Sequence, residues 1–278
     1  MKFQTPIKWT GIKRKQSEEI VSMILNKEYD TYFEPFCGSC SVLFQVLHSD
    51  LKFKNYICSD INNDLIQLWN KIKYNPNEVI CHYKKLWEEL SSLNDIEDKK
   101  KYFNFIRDRF NKTRNPLDFM FIIRTTTNGL IRYNKKNEFN NTYHLGRNGI
   151  TPKRLEKIVN EWSYVLNKYN VKFINQSYLN IKPKKNDFIY LDPPYANTKG
   201  MYYGSINLDE LWNFLRNVNC NYILSFDGKT NYKDLTYEVP KDLYNNFYYI
   251  YSGQSSFRKI AKINEDLNVY ESLYVKET

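Results

Sequence analysis

The chain has 278 residues, 42% of them hydrophobic and 26% charged, with 41 Lys and Arg against 31 Asp and Glu. No run reaches the ~18 apolar residues of a membrane span, and the amino terminus, MKFQTPIKWTGIKRKQ, lacks the apolar stretch of a secretory signal. The expectation is a cytoplasmic protein with five reduced cysteines, and its net charge of +10 points to a polyanionic partner, most often nucleic acid.

Taken in chain order, residues 15–27 read as helical and TYFEPF (31–36) as a short buried strand. A Gly/Ser/Cys turn follows, then an apolar helix start, SVLFQVLH (41–48). KNYICSD (54–60) is a second strand ending in an acid, and INNDLIQLWNKIK (61–73) a second amphipathic helix. Strand, turn, helix, strand, helix is the opening of a doubly wound α/β sheet. The pattern then changes. Residues 76–127 keep helical periodicity with charged faces, LIRYNKKNEFNNTYHLGR (130–147) reads as a polar hairpin or loop, and 151–169 is again an amphipathic helix. Strands return at 171–176, 187–192, 221–226, 246–253 and near 269–275. The simplest organisation is one α/β domain made of residues 1–74 and 166–278, with a mostly helical insertion at 75–165. Residues 65–165 hold roughly 19 Lys/Arg against about 11 Asp/Glu, so the insertion carries much of the basic excess. Its densest run, DKKKYFNFIRDRFNKTR (98–114), taken alone reads as a solvated helix face.

Three places carry chemistry. FCGSCS (36–41) supplies Gly38 and small side chains where a strand turns into a helix, so backbone amides can approach a ligand; Cys37-x-x-Cys40 also has the spacing of a redox or metal pair. Asp60 ends the next strand 22 positions after Gly38, where such folds hold ribose hydroxyls; a helix N-cap is the alternative. The most specific feature is FIYLDPPYANT (188–198), an apolar strand delivering Asp192, Pro193, Pro194 and Tyr195 to its carboxyl end. The prolines have no N–H and a fixed φ, so they expose carbonyls and stiffen the loop. Asp192 and the Pro193 carbonyl can accept both hydrogens of a planar amino group, while Tyr195 offers a stacking face for an extruded base. Such acceptors favour the pyramidal nitrogen that attacks an electrophilic methyl group. His48, His82 and His144 form no metal-spaced pair, and no second Cys pair completes a zinc site.

Six motifs in order resemble the Dam-type (D12 class) DNA adenine-N6 methyltransferases of bacteria and phages: KWTGIKRK (8–15), FEPFCGSCSV (33–42), SDIN (59–62), NGLIRYNKKNEFN (128–140), QSY (176–178) and DPPY (192–195). The resemblance implies a Rossmann-like class I methyltransferase sheet with an inserted, mostly helical target-recognition domain, which coincides with the basic insertion. It implies S-adenosylmethionine as cofactor and double-stranded DNA as substrate. Trp9 and Lys13 are then implied to hold the amino-acid end of the cofactor, Phe36 and Gly38 to line it, and Asp60 to take its ribose hydroxyls. Ile61, Ser177 and Tyr178 flank its adenine, and Asp192, Pro193, Pro194 and Tyr195 orient the flipped target base. Lys8 and Arg132 align with readers of guanine in GATC, and Leu130 with a contact to the thymine methyl. Asn128 and Asn134 belong to the same DNA-reading hairpin, and Arg258 in the loop 255–266 is expected to meet phosphates. By this resemblance CGSC is a substituted glycine loop. Two departures bear on the recognition sequence: Thr127 stands where the family commonly has an aromatic wedge, and NNTYHLG (140–146) lacks the proline of the usual NVPFG. A monomer or weak dimer is expected, with a cognate restriction endonuclease acting separately if the role is restriction–modification. The alternatives are an amino-group methyltransferase acting on RNA or protein, and an inactive DNA-binding regulator on the same fold.

Overall fold

The computed structural model describes residues 4–25, 28–194, 206–254 and 268–278. In chain order these form α1 (Ser17–Ser22), β1 (Glu28–Glu34), α2 (Ser41–Leu47), β2 (Lys52–Asp60), α3 (Asn63–Tyr74), α4 (Pro76–Ser92), α5 (Ile96–Thr113) and α6 (Pro116–Thr125). After a polar hairpin come α7 (Pro152–Lys168), β3 (Lys172–Asn175), β4 (Phe188–Leu191), α8 (Leu208–Asn217), β5 (Asn221–Thr230), β6 (Asn246–Gln254) and β7 (Asn268–Lys276). The chain divides into two compact units. Of the described residues, one comprises 4–12 and 60–175, and the other all the rest.

The sheet unit holds strands in the order β2-β1-β4-β5-β7-β6. Pairing is parallel from β2 through β5, and β7 enters antiparallel between β5 and β6. β4 is FIYL with all four residues buried, as expected of a central parallel strand covered on both faces. On one face Phe33, Ile189, Leu191 and Leu224 pack with Leu211, Trp212 and Leu215 of α8. Each such side chain contributes about 1.5–3 kcal/mol on burial. Helix α8 is an addition to the elements read from the sequence. Its signals are there, in the Asn207 side chain accepting from the Asp209 and Glu210 amides and in apolar residues at helical spacing.

The helical unit is wider than the 75–165 insertion. It also takes in α3, β3 and residues 4–12, because α3 buries Leu65, Leu68, Trp69 and Ile72 and stacks Trp69 on Phe173 (3° between planes) and against Trp162. Asp118 at the start of α6 is buried and accepts from His82 of α4 at 2.7 Å and from Arg109 of α5. Burial alone would raise its pKa, but hydrogen bonds from His82 and Arg109 hold it below the usual carboxylate range. The basic run of α5 is largely paired within this unit. Lys100, Lys101, Arg107, Arg109 and Arg114 each lie within 3.2 Å of a carboxylate oxygen.

Candidate active site

In the sheet unit the carboxyl ends of β1 and β4 build the centre. Leaving β1, the chain turns through Gly38 (φ 44°) and Cys40 (φ 55°), both left-handed, before α2 begins. The turn is closed by the Cys40 amide donating to the Cys37 carbonyl at 2.7 Å. It is tied to β2 by the Cys37 amide donating to the Ser59 carbonyl at 3.0 Å, one residue before Asp60. Cys40 thus occupies a conformation that favours glycine, held there with its side chain wholly buried. Cys37, Cys40 and Cys58 are all buried thiols. Burial, then hydrogen bonding with Cys37 and Cys58, pushes the Cys40 thiol well up, which is the opposite of an activated thiolate.

Beside the turn, the rings of Phe36 and Tyr178 lie 5.2 Å apart, and Phe214 meets Tyr178 edge-on at 5.3 Å. The Tyr178 hydroxyl is buried without a hydrogen-bond partner, and burial pushes its pKa up to about 12. Ser177 caps the following turn, its hydroxyl accepting from the Leu179 amide. Ser59 also keeps a buried hydroxyl without a partner. Aromatic faces, left-handed turn residues and orphaned hydroxyls together fit a ligand with a planar ring and polar edges.

Asp192 follows β4. Its carboxylate lies 2.7 Å from the ammonium of Lys13, whose side chain is only 3% exposed, and Glu271 of β7 approaches the same ammonium at 3.4 Å. Burial acts against the Lys13 charge, but Asp192 and Glu271 more than offset it, and its pKa is raised. Glu34 at the end of β1 is buried and accepts from the Tyr32 hydroxyl at 2.6 Å. Burial raises its pKa to about 8, the neighbouring Asp192 adding to the effect. Glu34 and Glu271 are the acids that sequence reading missed. Their depth is set by strand pairing and is invisible in a single-chain pattern.

In the helical unit, Asp60 accepts from the Asn62 amide at 2.9 Å, while the Asn62 side chain caps α3 by accepting from Leu65. Asn175 donates to the carbonyls of both Asp60 and Ile61, and Ile61 is left 59% exposed. The Asn62 side-chain amide nitrogen is buried without a partner. The helix-cap role at this strand end thus falls to Asn62.

The same unit holds Lys8, Leu130, Arg132 and Asn134 from among the residues read as DNA contacts. Arg124 donates to the Pro6 carbonyl at 2.7 Å and also to Thr5, and Trp162 donates to Gln4, so the amino-terminal segment is pinned to α6 and α7. That places half-buried Trp9 beside Lys8 in sequence and lays Lys8 across Gly129 (φ 67°), where an added Cβ would lie 2.7–2.9 Å from the Lys8 stem. Burial, then repulsion from Arg124 and Arg147, lowers the Lys8 pKa. Arg132 is exposed and braced by Asn140, its Nε donating at 2.9 Å. Leu130 is half-buried, its carbonyl accepting from Asn141. Asn134 closes the hairpin turn, accepting from the Lys136 and Glu138 amides and donating to Glu138. Thr127 is tied by its hydroxyl to Thr142 and Tyr143, so it braces the hairpin base. Tyr133 fastens the hairpin to α3, donating to Asp64 at 2.8 Å, and Arg114 pairs with the same carboxylate. Tyr195, Arg258 and the side chain of Asn128 lie outside the described residues.

A model of the D12 class of N6 adenine-specific DNA methyltransferases matches residues 9–265. The chain belongs to this family. It is 33% identical over 218 residues to the Type II methyltransferase M.MjaIII of Methanocaldococcus jannaschii, covering 70% of each chain. To the DNA adenine methylase of Escherichia coli K12 it is 30% identical over 196 residues, 68% of this chain and 64% of that one. To the Type II methyltransferase M.FokI of Planomicrobium okeanokoites it is 28% identical over 226 residues, 80% of this chain but 33% of that one. The chain therefore spans somewhat under two thirds of the Escherichia coli relative and a third of the Planomicrobium one. The mixed sheet flanked by helices is the Rossmann-like class I methyltransferase fold with an inserted helical domain, and the cofactor of this D12 member is S-adenosylmethionine.

Proposed function

We propose that this chain extrudes an adenine from duplex DNA and transfers the methyl group of S-adenosylmethionine to its N6, with GATC as the recognition sequence. The observation that carries the reading is the Asp192 carboxylate, set by buried β4 and held by Lys13, directly before Pro193 and Pro194. S-adenosylmethionine supplies an electrophilic methyl on a sulfonium sulfur. The chain supplies acceptors: Asp192 and the Pro193 carbonyl take the two amino hydrogens, and Tyr195 stacks on the base. So held, the amino nitrogen would turn its lone pair out of conjugation, towards the methyl that S-adenosylmethionine would supply. The methylated nitrogen is strongly acidic and releases its proton to Asp192 or water. Extrusion costs a few kcal/mol, which stacking and phosphate contacts offset.

Phe36, Gly38, Ser177 and Tyr178 are proposed to line the cofactor, Asp60 and Ile61 to hold its ribose and adenine, and Trp9 and Lys13 its amino-acid end. Residues 75–165 are proposed as the target-recognition domain. There Leu130 and Arg132, joined by Lys8 of the amino-terminal segment, read base edges, a cation meeting the O6/N7 edge of guanine. Asn134 shapes the hairpin that presents Arg132, and Asn128 and Arg258 contact DNA. The crowding of Lys8, Arg124 and Arg147 supports an anionic partner at this face. Incubating plasmid DNA with the protein and S-adenosylmethionine, then sequencing for modified adenines, tests reaction, base and motif together. N6-methyladenine at GATC is expected, and Asp192→Ala should abolish transfer while sparing DNA binding. Full activity in Asp192→Ala, or preferential labelling of structured RNA in competition, would overturn the reading.

A further inference from the structure

The geometry points to Glu271 as a positioning residue for methyl transfer, acting through Lys13 on Asp192. This rests on the reading of Asp192 as the acceptor of the target amine. The Lys13 ammonium, almost wholly removed from water, has Asp192 at 2.7 Å and Glu271 at 3.4 Å. A buried ammonium that faced Asp192 alone would bring its full charge to bear on that carboxylate and weaken it as an acceptor for anything else. The second carboxylate, 3.4 Å from the ammonium and not hydrogen-bonded to it, offsets part of that charge and so weakens its pull on Asp192. The three groups also carry one positive and two negative charges. A net negative charge fixed beside the site favours the positive charge that develops on nitrogen as the methyl arrives.

Glu271 is placed with care. One of its oxygens accepts from the Ser252 hydroxyl at 3.2 Å, and Ser252 accepts from buried Gln16 at 2.6 Å, so β6 and the segment after Lys13 both fix it. Its other oxygen, the one facing Lys13, is buried and has no hydrogen-bond partner. Across the sheet, β5 carries an irregularity between Phe226 and Lys229, opposite this point of β7. There Gly228 lets the β7 backbone come so close that an added Cβ would stand 2.0 Å from the Tyr270 carbonyl oxygen and 2.7 Å from the Glu271 Cα. Bulges beside active sites commonly re-aim a side chain, and this one sets the depth of Glu271.

The test is steady-state kinetics on the full chain with duplex DNA and S-adenosylmethionine. Glu271→Gln keeps the shape and removes the charge; kcat should fall roughly ten- to a hundred-fold, with KM for DNA and DNA affinity within about twofold. Glu271→Asp should restore most of the loss. Ser252→Ala keeps every charge and frees Glu271 to turn, so a smaller fall in kcat, about threefold, is expected. That variant decides the matter if Glu271→Gln does not fold. A kcat within twofold of the parent in both variants would overturn the inference, as would losses in kcat that track raised KM and lowered melting temperature. Asp192→Asn separates the two levels. If it turns over normally, the reading of Asp192 fails. If it is inactive while Glu271→Gln is unaffected, only the role of Glu271 fails.

Discussion

Replacing Glu34 by Gln should flatten the pH dependence of stability across the neutral range. The carboxyl is 3% exposed, and its pKa stands at about 8 in the folded chain against 4.5 for the ordinary group. Because the folded value is the higher one, the native state binds the proton more tightly than the unfolded chain. Stability is therefore greatest at low pH on this account and is lost as pH rises from about 4.5 towards 8. With each pKa unit equal to 1.36 kcal/mol, the loss due to this group is about 1 kcal/mol at pH 5, about 3 at pH 7 and about 5 at pH 9. Gln cannot ionise, and its amide oxygen can still accept from the Tyr32 hydroxyl, at a fixed cost of about 1 kcal/mol for imperfect pairing at the Leu43 amide. Urea unfolding at pH 5, 7 and 9 on parent and variant gives the difference directly, since all other groups titrate in both. The parent should lose about 4 kcal/mol relative to Glu34→Gln between pH 5 and 9. Parallel curves would refute the reasoning and place Glu34 as a charged residue at neutral pH.

Gly129→Ala tests how the amino-terminal segment presents Lys8. The left-handed φ of 67° costs a side chain about 1–2 kcal/mol, and the Cβ would displace the Lys8 stem. Relaxed discrimination at one base of the site is expected with cofactor binding unchanged, matching Lys8→Met in site-variant assays; retained discrimination would dissociate Gly129 from Lys8. Thiol alkylation at neutral pH should modify exposed Cys81 first, and Cys40 at least ~10-fold more slowly. Rapid labelling of Cys40 in the native protein would mean that the turn is not packed as described.

Much of the fold was legible because its signals are local. TYFEPF and FIYLD are apolar runs of strand length, and helix α3 announces itself by apolar residues at helical spacing, though its cap proves to be Asn62 and not Asp60. Its outline resisted reading where contacts decide it. Helix α3 lies between two strands of the α/β pattern, yet its Trp69 face packs with α7 and β3, so it joins the helical unit. The basic run 98–114 reads in one dimension as a solvated helix face, and which of its cations are committed to Asp118, Asp64 and neighbours along α5 is set by the fold.

By itself the sequence determined the order of strands and helices apart from α8, the D12 family, and the Asp192–Pro193–Pro194 end of a buried strand, because spacing and residue type are one-dimensional quantities. Tertiary structure decided what surrounds that strand end. Glu271 lies 258 positions beyond Lys13 (271 − 13), and only the antiparallel entry of β7 beside β5 brings its carboxylate to the ammonium. Glu34 looks like any strand acid until burial raises its pKa to about 8. Charge in a sequence is a count, whereas its chemical effect depends on distance and solvent, and those exist only once the chain has folded.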